Sequence, residues 1–106
     1  MLEKVGWPAI LVLEGEDELT YFSGEADFAA YIVSEGSSLT DADRLVDSSG
    51  DTFTVSGSVT GPQRQTGLEE VTALVRAHLS QAGQCCVAKY CPASIGDAIR
   101  DVGADG

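Results

Sequence analysis

A chain of 106 residues with 43% hydrophobic content can fill one core without disulfides or metal as staples. Seventeen Asp and Glu against six Lys and Arg give a formal net charge of −11. The basic residues are scattered from Lys4 to Arg100 rather than clustered, which argues against direct binding to nucleic acid or to an anionic membrane.

The stretch "MLEKVGWPAILVLEGEDE" has one lysine, a seven-residue apolar run at 7–13 and acid immediately after it. Neither a signal peptide nor a membrane span has that pattern. "WPAILVL" reads instead as a strand buried on both faces, pinned to the core by Trp7 ahead of Pro8. Gly15 turns the chain, and the alternating "DELTYFS" completes a hairpin.

Ser23 is placed to cap a helix whose first turn holds Glu25 and Asp27. Phe28, Tyr31 and Ile32 line its inner side, and Gly36 stops it. "DRLVD" and "TFTVSG" around "SSGD" predict a second hairpin. Residues 58–65, "SVTGPQRQ", read as the main loop, with Gly61-Pro62 as a breaker pair.

"TGLE" has the capping-box pattern, Thr66 with Glu69, ahead of a helix over 67–82. Leu68, Val71, Val75, Leu79 and Ala82 form its apolar stripe, and Gly83 ends it. "CCVAKY", residues 85–90, reads as the fifth strand. Ile95, Ala98, Ile99 and Val102 mark a last helix with Ser94 as N-cap and Gly103 as its stop. The element order ββαββαβα implies a single α+β domain over 1–106, with a largely antiparallel five-stranded sheet and three helices. Ala9, Ile10, Leu11, Val12, Val71, Val75, Leu79, Val87, Ile95 and Ile99 are expected to share one core.

Cys91 is the first candidate for chemistry. "CPAS" resembles the motif that thioredoxin and glutaredoxin types of enzyme carry between strand and helix, where backbone amides favour a thiolate. Only 15 residues of this sequence follow Cys91, and none after Pro92 is a proline. The thioredoxin topology needs more sheet and a later cis-proline, so an ordinary thiol is the expectation. With Ser94 as N-cap, Cys91 lies outside the helix, where the dipole acts weakly.

Cys85 and Cys86 point to opposite faces of an extended strand, and Cys85 and Cys91 lie about 20 Å apart along it. No C-x₂₋₄-C pair exists, so zinc is not expected, nor is any other cofactor. An odd cysteine count with two adjacent also fits a reducing cytoplasm better than a secreted disulfide framework. His78 falls within the apolar stripe of its helix and reads as a partly buried histidine with a local hydrogen bond. The acids Glu14, Glu16, Asp17 and Glu18 and the segment "DADRLVDSSGD" invite a calcium reading, but Leu45 breaks the EF-hand spacing that starts at Asp41. Solvated hairpin turns are the expectation for both.

"WPAILVLEGEDELTYF", "RLVDSSGDTFTV" and "AHLSQAGQCCVAKY" together resemble a small proteobacterial domain family of unknown function. The resemblance implies a stand-alone bacterial cytoplasmic domain and transfers no site residue and no activity.

The sequence thus points to a non-enzymatic module that meets a protein partner through its acidic surface or a sheet edge. Two alternatives stand beside it. One is a thiol-dependent redox protein using Cys91; the other is a small-molecule binder with His78 and Tyr90 near a pocket.

Overall fold

The computed structural model describes residues 5–16, 18–36, 39–55, 59–81 and 90–105. Five strands and three helices occur among them: β1 (Ala9–Val12), β2 (Leu19–Phe22), α1 (Glu25–Glu35), β3 (Arg44–Asp47), β4 (Asp51–Thr54), β5 (Thr60–Gln65), α2 (Leu68–Gln81) and α3 (Ile95–Asp105). The sheet order is β2-β1-β3-β4-β5, and every neighbouring pair is antiparallel. The expected α+β fold with an antiparallel five-stranded sheet and three helices is the one observed.

All four residues of β1 are buried, as their continuous apolar run requires. Side chains alternate across a strand, so Ile10 and Val12 face one way while Ala9 and Leu11 face the other. Ile10 and Val12 join Val46, Val71, Val75, Ala98, Ile99 and Val102 in a core beneath α2 and α3. Ala9 and Leu11 join Phe22, Phe28, Leu45 and Phe53 in a second core beneath α1. The single core expected from sequence is therefore two, divided by the sheet. Leu79 and Ile95 border the first core only partly buried, and Val87 lies outside the described residues.

Aromatic rings order the α1 side. Phe28 meets Phe22 edge-on with centroids 5.2 Å apart, and Trp7 tilts over Phe28 at 5.9 Å. Such offset and edge-to-face contacts are the favoured ones between rings. Trp7 thus anchors the start of β1, as expected.

Several local expectations change. Residues 58–65 are not the main loop: 60–65 form β5, an edge strand. Proline is tolerated at an edge because no ladder donor is needed on the outer side. Gly61 has φ +136 and a cis bond to Pro62, and a Cβ there would lie 2.7 Å from the Gln63 nitrogen. The proposed strand over 85–90 falls, except for Tyr90, outside the described residues; Tyr90 is not in a strand.

Ser23 is not the cap of α1. Gly24 holds that position without a side-chain bond, and the Ser23 hydroxyl donates to the Asp27 carboxylate instead. Thr66 does not cap α2 either: it is buried, its hydroxyl pairs with that of Thr52, and the helix starts one residue later with Val71 N–H donating to Gly67 O. Ser94 does cap α3, its Oγ accepting the Asp97 amide at 3.2 Å. Gly103 does not stop that helix; α3 runs on to Asp105.

The β3–β4 turn is built on a carboxylate. Asp47 is 1% exposed and accepts the amides of Gly6 at 2.7 Å, Ser49 at 2.9 Å and Asp51 at 2.9 Å. Burying a carboxylate is costly unless its lone pairs are met, and these three donors meet them. Gly50, at φ +87, completes the turn.

Candidate functional site

Cys91 is exposed, between Tyr90 and the start of α3. With Ser94 as N-cap the sulfur stands three positions outside the helix, in the register expected. It borders an open depression of about 340 Å³ with Leu68, Glu69, Thr72, Arg76 and Pro92. Arg76 is already engaged there: its Nε and Nη2 donate to the Tyr90 carbonyl at 3.1 and 2.7 Å.

His78 is held by structure. Its Nδ1 accepts the Leu19 amide at 3.0 Å, at the start of the outer strand β2. A depression of about 330 Å³ adjoins it, lined also by Glu18, Thr20, Tyr21, Val102 and Gly103. Tyr90 does other work. Its hydroxyl donates to Asp101 Oδ2 at 2.6 Å, and burial together with that carboxylate pushes its phenol well above the ordinary range. Tyr90 ties α2, through Arg76, to α3, through Asp101.

The largest of these depressions lies at the β1–β2 turn, on the α1 side of the sheet. Leu13, Glu14, Gly15, Glu16, Tyr31, Glu35, Leu39, Thr40 and Asp43 line about 640 Å³ of open space. The β1–β2 turn supplies Glu14 and Glu16, shaped by Gly15 at φ +81 and by Glu16 N–H donating to Leu13 O at 3.2 Å. The segment before β3 supplies Asp43, 6% exposed, whose Oδ1 accepts the Glu14 amide at 2.9 Å and Oδ2 the Thr40 amide at 2.8 Å. Tyr31 and Glu35 come from the last turns of α1. Burial, then the carboxylates of Glu35, Asp43 and Glu16, push the Tyr31 phenol upward. Its hydroxyl therefore stays a neutral donor and acceptor within a ring of negative charge.

The two acidic segments expected to be separate solvated turns thus meet at one pocket. Tyr31, read from sequence only as a core residue, is part of it. The Asp43–Glu14 bond spans 29 positions, and no local pattern announces a contact of that kind. No group of three or more His, Cys, Asp or Glu arranged to hold a metal ion occurs among the described residues. Cys85 and Cys86 lie outside them.

The arginines are engaged within the chain. Glu70 takes Arg64 at 3.0 Å and Arg44 at 3.5 Å, and Asp97 takes Arg100 at 3.3 Å. With Arg76 on the Tyr90 carbonyl, every arginine is bonded to an acceptor of the chain itself.

An antiparallel sheet with one helix on one face and two on the other, carrying this acidic pocket, defines a small α+β domain. Residues 7–102 match the family DUF4144, described as "protein structure with unknown function", and the chain belongs to that family. It is also similar to a solved NMR structure of a protein from Shewanella amazonensis. Identity is 29% over 95% of this chain and 90% of that one, with a TM-score of 0.76. Among curated proteins none matches the chain. No helix among the described residues is long and apolar enough to cross a membrane.

Proposed function

We propose that this domain is a non-enzymatic interaction module of a bacterial cytoplasm, which receives a basic segment of a partner protein at its acidic end. The disposition of charge carries the reading. The four arginines are engaged with acceptors of the chain itself, and the exposed carboxylates of Glu14 and Glu16 stand on one open pocket. A cleft lined by one sign of charge concentrates counter-charged groups and speeds their capture. Tyr31 adds an aromatic ring beside the carboxylates, a combination suited to Lys or Arg. Of the side chains that sequence put forward, His78 and Tyr90 make bonds within the fold.

The reading is tested by titrating the full chain with a Lys-rich peptide and neutralising the pocket. Glu14→Gln with Glu16→Gln should weaken binding about tenfold. Glu69→Gln with Asp97→Asn, which removes the same charge elsewhere, should change it little.

A second reading has one observation in its favour: Cys91 is exposed beside Arg76. A redox role would show as thiol–disulfide exchange, in which the Cys91 thiolate displaces one glutathione thiolate from glutathione disulfide and keeps the other as a mixed disulfide. That reaction would disappear in Cys91→Ser.

A further inference from the structure

We propose that the outward face of α1 docks an amphipathic helix of a partner protein whose apolar stripe is flanked by Lys and Arg; this rests on the reading above that the partner is basic. The sequence of α1 is EADFAAYIVSE, a run of apolar residues from Phe28 to Val33 between charged ends. Phe28 points inward and is buried, with Tyr31 and Ile32 packed partly beside it. At helical spacing Ala26, Ala29, Ala30 and Val33 fall on the opposite side, at i, i+3, i+4 and i+7. All four are exposed, and Val33 is 89% exposed.

The outer side of a surface helix is ordinarily polar; on α1 Ala26, Ala29, Ala30 and Val33 leave its centre without a polar side chain. The alanines keep the outer face low, so a second helix can approach closely. Val33 supplies the side chain that would insert into it. Glu25 and Asp27 stand on the shoulders of this stripe, and α1 contains no basic residue.

Charge decides the occupant. A second copy of the chain would set two such carboxylate-flanked faces together, each on a protein of net charge −11. An anionic bilayer is repelled for the same reason. An apolar helix face bordered by Lys and Arg satisfies both the stripe and its shoulders, in the helix-on-face mode of peptide recognition. Eleven residues give α1 a length of about 16 Å. That suits a small, transient contact.

The probe is a synthetic 18-residue Leu/Lys amphipathic helix, with a Leu/Glu helix of the same pattern as control, added to the isotope-labelled full chain. Amide shifts should centre on Ala26, Ala29, Ala30 and Val33. The charge-neutral pair Ala30→Gln and Val33→Gln should weaken binding about tenfold or more, with the fold unchanged by circular dichroism. A footprint confined to Glu14, Glu16 and Asp43, indifferent to the α1 pair, would overturn this proposal and leave the pocket reading standing. Absence of binding, or equal binding of the Leu/Glu helix, would also overturn it. So would a dimer abolished by the α1 pair, which would identify a second copy as the occupant.

Discussion

The imidazole Nδ1 of His78 accepts the backbone amide of Leu19 at 3.0 Å, joining α2 to the outer strand β2 across 59 positions of chain. Leu19 is buried, so this amide has little access to water in exchange. His78→Ala should therefore cost about 1–3 kcal/mol, the penalty for a buried donor left without its acceptor. Urea unfolding measures the loss, and faster hydrogen exchange at Leu19 should accompany it. An unchanged midpoint together with unchanged exchange would show that the bond contributes nothing.

Gly103 lies against the face of Tyr21. A Cβ there would stand 2.7 to 2.8 Å from three ring carbons, too close for any real methyl. Alanine is the better helix former by about 1 kcal/mol, yet Gly103→Ala should destabilise by about 1–3 kcal/mol because the Tyr21 ring or α3 itself must give way. Tyr21→Ala in the same chain should remove most of that overpacking penalty. A Gly103→Ala variant more stable than the parent would contradict the close packing.

Asp47 gathers three amides on two oxygens. Asp47→Ala should cost on the order of 3 kcal/mol, since three donors lose a charged acceptor. Asp47→Asn should restore only part of it, because its NH₂ group would face an amide that is itself a donor. Thermal unfolding of the two variants measures the difference.

Glu70 gives a pH dependence of known sign. The Arg64 hydrogen bond, assisted by the charges of Arg64 and Arg44, holds its carboxyl below the ordinary value of 4.5. A folded-state value that is lowered contributes stability above the unfolded value, lost as pH falls through the folded one. Glu70 is 40% exposed, so solvent limits the contribution to less than about 1 kcal/mol. The stability difference between parent and Glu70→Gln should be present at neutral pH and shrink below about pH 4. A difference that grows with acid would contradict the assignment.

What the sequence made legible was what local spacing encodes. The apolar run at β1, the Val71–Val75 centre of the α2 stripe, the stripe of α3, the turn at Gly15 and the Ser94 cap all follow from neighbours a few residues apart. Leu68, placed on the same α2 stripe, is exposed, and Ala82 lies outside the described residues. Contacts between distant segments were not legible. Thr66 has the local pattern of a helix cap, but its hydroxyl is taken by Thr52 from β4. Gly61-Pro62 reads as a breaker because edge position, which makes proline acceptable in a strand, is a property of the sheet. Gly103 reads as a stop because the Tyr21 ring that requires a glycine lies on another element. The pocket was half visible: its acids stand out in the sequence, while the pairing of Glu14 with Asp43 and the turn of Tyr31 toward them come from the fold.

The central claim is that the acidic end, rather than net charge as such, selects a basic partner. Calorimetric titration of a Lys-rich peptide into three proteins measures this most directly: the parent, the pocket variant Glu14→Gln with Glu16→Gln, and the charge-matched variant Glu69→Gln with Asp97→Asn. The account predicts binding that weakens about tenfold in the pocket variant and stays near the parent value in the charge-matched one. Equal weakening in both, or none in either, would contradict it.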